Sequence, residues 1–406
     1  MTRVFEVPGS KSEIARAFIL SSFLNDGELR MNMNARADDV MVAKRCMLGF
    51  RNGEKEFHCG DSATFFRFLA LRVSRQIGHF KLMGSERLLQ RPHDELLLLL
   101  ESLGVHVWWE SDERSKKFRA LHIRSQNGWQ APPDGTLRVS VYRSSQFLSA
   151  LLLSSWNLPF DLQLRLHGEM VSKPYFEMTR SFVEKCGMEI AQESVSSTES
   201  LIKIKRHQKI IASEVPIESD WSTGVFLLTF GTVEGDYALK SFIPDSLQAD
   251  AEGLKLLLEM GADIKFQNNL LFVKESSTLR GIDCDLKNSP DLFPVLCALS
   301  ALPRVRGMSN FRSLGHLEFK ESHRPKKLLE LLSGLGAKCR FDGDIFEVLE
   351  PISLTQKFYF DPRPDHRLVM AGKILTRAGA NLELADESVI SKSFPEFAQF
   401  EESCLA

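Results

Sequence analysis

Leu254-Lys255-Leu256-Leu257-Leu258-Glu259-Met260-Gly261-Ala262-Asp263-Ile264-Lys265-Phe266 changes periodicity at its glycine. Up to Met260 the apolar residues keep to one helix face; from Ala262 to Phe266 they alternate as in a half-buried strand. Gly261 stands where a helix C-terminus calls for a left-handed residue before the chain turns into the strand. The phrase returns as Leu96 to Leu103, Gly104, Val105-His106-Val107-Trp108, and as Phe182 to Cys186, Gly187, Met188-Glu189-Ile190. It returns again as Leu328 to Leu335, Gly336, Ala337-Lys338-Cys339, with weaker copies around Gly49 and Gly379. Three copies precede residue 218 and three follow. Repetition at this length suggests duplicated supersecondary units, not a short-period solenoid. The expectation is an α/β protein of two similar halves, each with three helix–strand units.

The chain of 406 residues has room for about two or three domains. Its 43% hydrophobic and 26% charged residues are those of an ordinary soluble globular protein. A net charge of −2 argues against a general nucleic-acid binder. No apolar run approaches the roughly 18 residues of a membrane span, and the first residues lack a basic head followed by an apolar core. The seven cysteines are scattered without a C-x-x-C, which fits reduced thiols serving mostly as small buried apolar groups in a cytoplasmic protein. The histidines show no H-x-H or H-E-x-x-H, so no metal is expected.

A second device recurs as well. In Pro8-Gly9-Ser10-Lys11-Ser12-Glu13-Ile14-Ala15-Arg16 the alternating run Val4 to Val7 breaks, and Ile14, Ala17, Phe18 and Leu20 begin a helix. Lys11 and Ser12 therefore sit at a strand-to-helix turn, where unpaired N–H groups and the helix dipole attract anions. Arg16, one turn on, is placed to face the same anion, although a capping serine beside two solvated cations would look the same. Gly60-Asp61-Ser62-Ala63-Thr64 precedes the helix Phe65 to Val73, and Ser144-Ser145-Gln146 joins the strand Leu137 to Tyr142 to the helix Phe147 to Ser154. Arg87 and Arg91 lie between them, Arg91 being followed by Pro92 as in the first turn of a helix. The second half adds Asp291 after Pro290, Lys320-Glu321-Ser322-His323-Arg324 before the helix Lys326 to Leu332, Asp365-His366-Arg367, and Lys392. Each alone reads as solvated surface. Together they imply ligands carrying several negative charges.

These motifs resemble the enolpyruvyl transferases of the 5-enolpyruvylshikimate-3-phosphate (EPSP) synthase family. The resemblance runs from Val7 to Phe397 and rests on P-G-S-K-S at 8–12, R-S-S-Q-F at 143–147, V-S-K-P-Y at 171–175, K-E-S-H-R at 320–324, D-H-R at 365–367 and K-S-F-P at 392–395. It implies two similar lobes, each of three βαβαββ units (an inside-out α/β barrel), with ligands in the cleft between them. One lobe would hold residues 11–218, and the other residues 1–10 with 219–406.

By the same resemblance, shikimate 3-phosphate would meet Ser12 and Arg16 through its carboxylate and Ser144, Ser145 and Ser172 through its phosphate. Gln146 would lie along the ring, and Lys11, Asp291, His316 and Lys320 would complete that site. Phosphoenolpyruvate (PEP) would place its phosphate near Lys11, Arg91, Gln146 and the backbone of Ala63, and its carboxylate at Arg324 and Arg367 beside Lys392. Arg suits both anions because its fork pairs bidentately. The implied chemistry transfers the enolpyruvyl group to the 5-hydroxyl, with Asp291 as base, Glu321 handling the C3 proton, Lys320 as proton carrier, and Lys11 as a further catalytic cation. No cofactor, metal, nucleic acid or membrane is implied, and a cytoplasmic monomer acting on two small molecules is expected.

Several positions depart from the family pattern. Asp61-Ser62-Ala63-Thr64 stands where Asn-Ala-Gly-Thr is usual, His316 where an asparagine is, Glu318 where an arginine is, and Ser219 within what is otherwise E-G-D-x-S. Ala63 in place of glycine would narrow the space beside the phosphonate of glyphosate, the family's inhibitor at the PEP site. Two other readings remain. A UDP-N-acetylglucosamine enolpyruvyl transferase normally has Asn after the first lysine and a cysteine-bearing loop before the second arginine; here Ser12 follows Lys11, and Gly84 to Gln90 holds no cysteine. A non-catalytic relative would bind a phosphorylated metabolite without turnover, against which the retained Lys11, Arg91, Asp291, Lys320, Glu321, Arg324, Arg367 and Lys392 speak.

Overall fold

The computed structural model describes residues 3–24, 30–31, 35–112, 114–196, 199–240, 242–243 and 245–405. Its described residues fall into two compact units, one drawn from Met1–Ser10, Asn34–Asp38 and Glu218–Ala406, the other from Lys11–Met33 and Asp39–Ile217.

One connectivity builds four sheets, two in each unit: strand, helix, parallel strand, helix, then an antiparallel hairpin. In the unit containing Lys11, Glu56–His58 runs parallel to Gly78–Met83, which pairs antiparallel with Phe118–Ser125 and through it with His106–Ser111. Thr136–Ser140, Leu162–His167, Glu199–Ile204 and Ile190–Ser194 repeat that order. In the other unit, Asp283–Asp285, Ser309–Arg312, Phe346–Glu350 and Lys338–Phe341 form the same sheet. The fourth takes Arg3–Glu6 from the chain's start and pairs it parallel with Asp236–Lys240, then Leu270–Lys274 and Asp263–Gln267. Among the described residues three two-stranded parallel pairs stand beside these: Arg30–Met31 with Glu214–Val215, Leu279–Arg280 with Val305–Arg306, and Phe358–Phe360 with Leu382–Leu384.

The helices are the apolar element. Trp221–Glu234 is buried nearly all round, as are Gln146–Ser154 and Phe293–Ser300, and a helix apolar on every face must lie inside. The strands alternate instead: Leu121 and Ile123 are buried while Arg124 is exposed. Each unit therefore carries its helices inside and its sheets outside. No helix among the described residues is long and apolar enough to cross a membrane.

The helix–glycine–strand phrase holds at Gly104, Gly187, Gly261, Gly336 and Gly379, whose φ angles lie between +76° and +101°. It fails at Gly49. The helix Asp38–Arg51 runs through that residue, and the left-handed position is Gly53, φ +83°. A second expectation also shifts: Pro92 precedes the next helix, which begins at Asp94 with His93 at its N-cap, so it does not occupy a first turn. The helix placed at Lys326 begins two residues earlier, making Arg324 its first residue with Pro325 beside it.

Candidate active site

In the Lys11 unit the anion turns become helix N-termini at Lys11–Ser21, Ala63–Val73, Gln146–Ser154 and Lys173–Lys185. Lys11 Nζ lies 3.4 Å from Asp39 Oδ2. Arg16 is 2% exposed, and its guanidinium donates to Thr179 Oγ1 at 2.8 Å, to the Ser12 carbonyl at 2.6 Å and to the Tyr175 carbonyl at 2.8 Å. It thus staples two helices together, and burial pulls its pKa down to about 10. Ser145 donates to the carbonyl of Ser172 at 3.0 Å, and Ser144 Oγ accepts the Gln146 N–H at 3.2 Å, so the three serines are neighbours. Ser172 itself holds a left-handed φ of +53°.

Gln146 is clamped from both ends of its amide. Arg67 Nη1 donates to its Oε1 at 2.5 Å, and its Nε2 donates to Thr64 Oγ1 at 2.9 Å. Arg67 also donates to the Pro92 carbonyl at 2.7 Å and faces the Phe147 ring 4.7 Å away. Burial first, and the nearby Arg91 second, lower its pKa to about 9. Two neighbouring guanidinium groups, with no carboxylate paired to Arg67 among the described residues, make a ready anion site. Sequence reading missed Arg67, yet a signal existed: a lone arginine inside Phe65-Phe66-Arg67-Phe68-Leu69 is seldom buried without purpose. Ala63 is buried as the first residue of its helix, whereas Asp61 is exposed and accepts the Ser85 hydroxyl.

The other unit gathers its charges around Arg324, which is 1% exposed. Its Nε donates to Asp365 Oδ2 at 2.9 Å, its Nη1 to Asp291 Oδ1 at 2.6 Å and its Nη2 to Glu321 Oε2 at 3.1 Å. Lys320 Nζ and Arg367 Nη2 each lie 3.5 Å from an Asp291 oxygen, and Lys392 Nζ is 3.0 Å from Glu321 Oε1. The fully buried Asp365 caps the helix His366–Arg377 by accepting the Arg367 N–H at 3.0 Å, and also takes the Ser322 hydroxyl at 2.9 Å. Four cations thus face these three carboxylates, and Asp250, whose charge also acts on Arg367, is a fourth.

Burial alone would raise the pKa of Asp291; Lys320, Arg324 and Arg367 outweigh it and hold the carboxyl well below the usual range. His316 shows the opposite environment. Burial, then Lys320, brings its imidazole down to about 4, so the ring is neutral at working pH, and its Nε2 is buried with no partner among the described residues.

Asp250 was not foreseen, because an acid just before a helix normally reads as surface charge. It is 2% exposed, accepts the Ser222 hydroxyl, and has one oxygen without a partner among the described residues. Burial, then the neighbouring Asp291, raises its pKa from 3.8 to about 6 despite the pull of Arg367 and Ser222. A folded-state pKa above the unfolded value contributes stability that is full below the unfolded pKa and lost as pH rises through the folded one. Asp250→Asn should therefore stabilise the fold by about 1–3 kcal/mol above pH 6, with the gain vanishing towards pH 4. Urea denaturation across that range measures it; a gain independent of pH would remove titration of Asp250 as the cause.

A duplicated α/β fold that sets buried arginines near helix starts is suited to holding small polyanions. Residues 26–400 match the family model for EPSP synthase (3-phosphoshikimate 1-carboxyvinyltransferase). The chain is 30% identical to the 3-phosphoshikimate 1-carboxyvinyltransferase of Methanopyrus kandleri, over 96% of this chain and 92% of that protein. It is 27% identical to the protein of the same name from Syntrophobacter fumaroxidans, over 96% and 94%. The structure of EPSP synthase from Acinetobacter baumannii superimposes with a TM-score of 0.74 at 17% identity, covering 99% of this chain and 96% of that one. The chain belongs to the EPSP synthase family.

Proposed function

We propose that this protein transfers the enolpyruvyl group of PEP to the 5-hydroxyl of shikimate 3-phosphate and releases phosphate. The observation that carries the reading is the constellation of Asp291, Lys320, Glu321, Arg324, Arg367 and Lys392, which joins acid–base groups to four clustered cations. Arg324, Arg367 and Lys392 suit the PEP carboxylate, and Lys11, Arg91 and Gln146 its phosphate, with Arg67 holding Gln146 in place. Ser144, Ser145 and Ser172 suit the phosphate of the acceptor, while Ser12, Arg16, His316 and Lys320 suit its carboxylate and hydroxyls.

Asp291 is ionised but weakly basic while three cations surround it. An anion that draws Arg324 and Arg367 to itself removes part of that pull and raises the carboxyl's proton affinity. The base that acts on the acceptor's hydroxyl is then strengthened by binding of PEP. Glu321, held by Lys392 and Arg324, would deliver and then remove the C3 proton, and Lys320 would carry a proton between steps. Phosphate release from PEP, with and without shikimate 3-phosphate, tests the reaction. Release that requires both substrates, with the enolpyruvyl product seen by mass spectrometry, is expected. Folded protein that binds shikimate 3-phosphate without turnover would establish a binding protein instead.

The methyl group of Ala63 bears on inhibitor choice. It lies on the first residue of a buried helix start, where an anion approaches the backbone N–H groups most closely. Glyphosate is slightly longer than PEP, and a tight site resists even one added carbon. Ala63→Gly is expected to tighten glyphosate inhibition by about tenfold while changing the PEP KM less, since one methyl contact is worth about 1–3 kcal/mol. Inhibition constants measured competitively against PEP decide it. No tightening in the variant would clear Ala63 of the effect.

A further inference from the structure

We propose that a cavity beside the chain's first strand binds a primary ammonium carried on a small aromatic body, with Glu396 as its counterion. The cavity measures about 240 Å³ and is lined by residues of Arg3–Glu6, of the buried helix Trp221–Glu234 and of the helix Phe397–Leu405 with the turn before it. Its apolar wall is Phe5, Pro8, Leu227, Phe394 and Phe400. None of the charged residues gathered around Arg324 lines it.

Local structure holds that wall in place. Phe5 packs edge-on against Phe400 with ring centroids 4.6 Å apart, and Phe394 lies 6.3 Å from the same ring. The Pro8 carbonyl accepts the Asp220 N–H at 2.8 Å, which fixes the chain just past the strand. On the other side the Phe397 N–H donates to the Phe394 carbonyl at 3.2 Å and the Phe400 N–H to the Glu396 carbonyl at 3.0 Å, so the backbone of Glu396 is set at the helix start. A dry cavity of about 150 Å³ already holds benzene, so this one admits a six-membered ring with a two- or three-atom arm. The three phenyl groups of the wall suit a further ring, edge-on or offset.

Charge decides what the arm carries. The lining holds two carboxylates, Glu6 and Glu396, and no lysine or arginine. Glu396 Oε2 is buried without a hydrogen-bond partner among the described residues, a state that costs free energy until a donor reaches it. A primary ammonium brings three donors and a full positive charge, and the phenyl faces add cation–π attraction. Glu6 and Gln399 are the exposed members of the lining, so a cation entering from water meets a carboxylate at once. The same carboxylates repel the anions that suit the Arg324 cluster, so the two sites differ in the class of ligand they take.

The full chain is titrated with 2-phenylethylamine at pH 7 by isothermal titration calorimetry, with no other ligand present. One-to-one binding with a dissociation constant below about 1 mM is expected, within the reach of a ligand of this size. 2-Phenylethanol keeps the ring and loses the charge, so it should bind at least about tenfold more weakly, as should the amine to Glu396→Gln. Gln399→Trp puts an indole into the cavity from an exposed position and should abolish binding. Circular dichroism checks the fold of both variants, and the comparison of the two probes on the unaltered protein stands without them. No saturable binding of the amine, or equal affinity for amine and alcohol, overturns the proposal. Undiminished binding by folded Gln399→Trp overturns the cavity as its place, and unchanged affinity in Glu396→Gln overturns that residue as the counterion.

Discussion

Arg324→Met is expected to lower the unfolding free energy by about 3–5 kcal/mol, the largest effect of any single change in the charged cluster. The guanidinium satisfies Asp365, Asp291 and Glu321 at once, through three different nitrogens. Asp365 is fully buried, so without Arg324 its charge keeps only the Ser322 hydroxyl and the Arg367 N–H among its described partners. Methionine fills much of the volume but leaves that carboxylate uncompensated. Arg324→Lys should lose less, yet still a large part, because one ammonium cannot bridge three carboxylates in fork geometry. Urea denaturation at pH 7 measures both. A loss below about 1 kcal/mol would mean that water screens the pair as it screens a surface bridge. Acid adds a signature: a carboxyl with a depressed pKa contributes stability that is present above its unfolded pKa and lost as pH falls through the folded one. Asp291 is such a group, so part of the wild-type stability should fade below about pH 4, and less should fade in Arg324→Met.

Asp291→Asn is expected to cut kcat by about 10²–10⁴ while the KM for PEP stays level or falls. The sign of the second effect follows from the geometry. Asp291 occupies Arg324 at 2.6 Å and draws on Arg367 at 3.5 Å, so it competes with any anion for both. Asparagine keeps the shape and removes that competition, leaving a more positive site without a base. Steady-state kinetics with both substrates varied separate the two effects, and circular dichroism confirms that the variant is folded. If kcat stays within about threefold of wild type, Asp291 is not the base.

Much of the fold was legible because it rests on local rules. Five of the six glycines read as helix ends carry the left-handed φ that only glycine adopts without strain, and the strands after them alternate as read except at Phe266, which is exposed. Gly49 misled because a glycine inside a helix looks, in sequence, like one just past its end; the terminating residue was Gly53. The repeat itself is uneven. Beside the four-stranded sheets stand short parallel pairs, since pairing length depends on distant partners that no local pattern reports.

The site divides the same way. Ser, Lys and Arg at helix starts were visible one by one, because helix starts have sequence signatures and cations there imply anions. Their counterions were not. Asp365 could be read as an N-cap but not as the buried partner of Arg324, and neither Asp250 nor Arg67 was singled out. Burial and pairing are properties of segments brought together from far along the chain, and they decide whether a charge is solvated or held.

By itself the sequence determined the α/β class, the duplication, the helix starts that attract anions, and the family, because each follows from neighbouring residues or from motifs in order. Only the tertiary structure decided which strand completes the sheet of the chain's first residues: Arg3–Glu6 pairs with Asp236–Lys240, a partner no local signal could name. It also decided that Arg16 bonds Thr179 and two carbonyls, that His316 is neutral, and that Asp291 is surrounded by three cations. The physical reason is common to all of these. Desolvation and Coulomb energy depend on distances through space, and those exist only once the chain has folded.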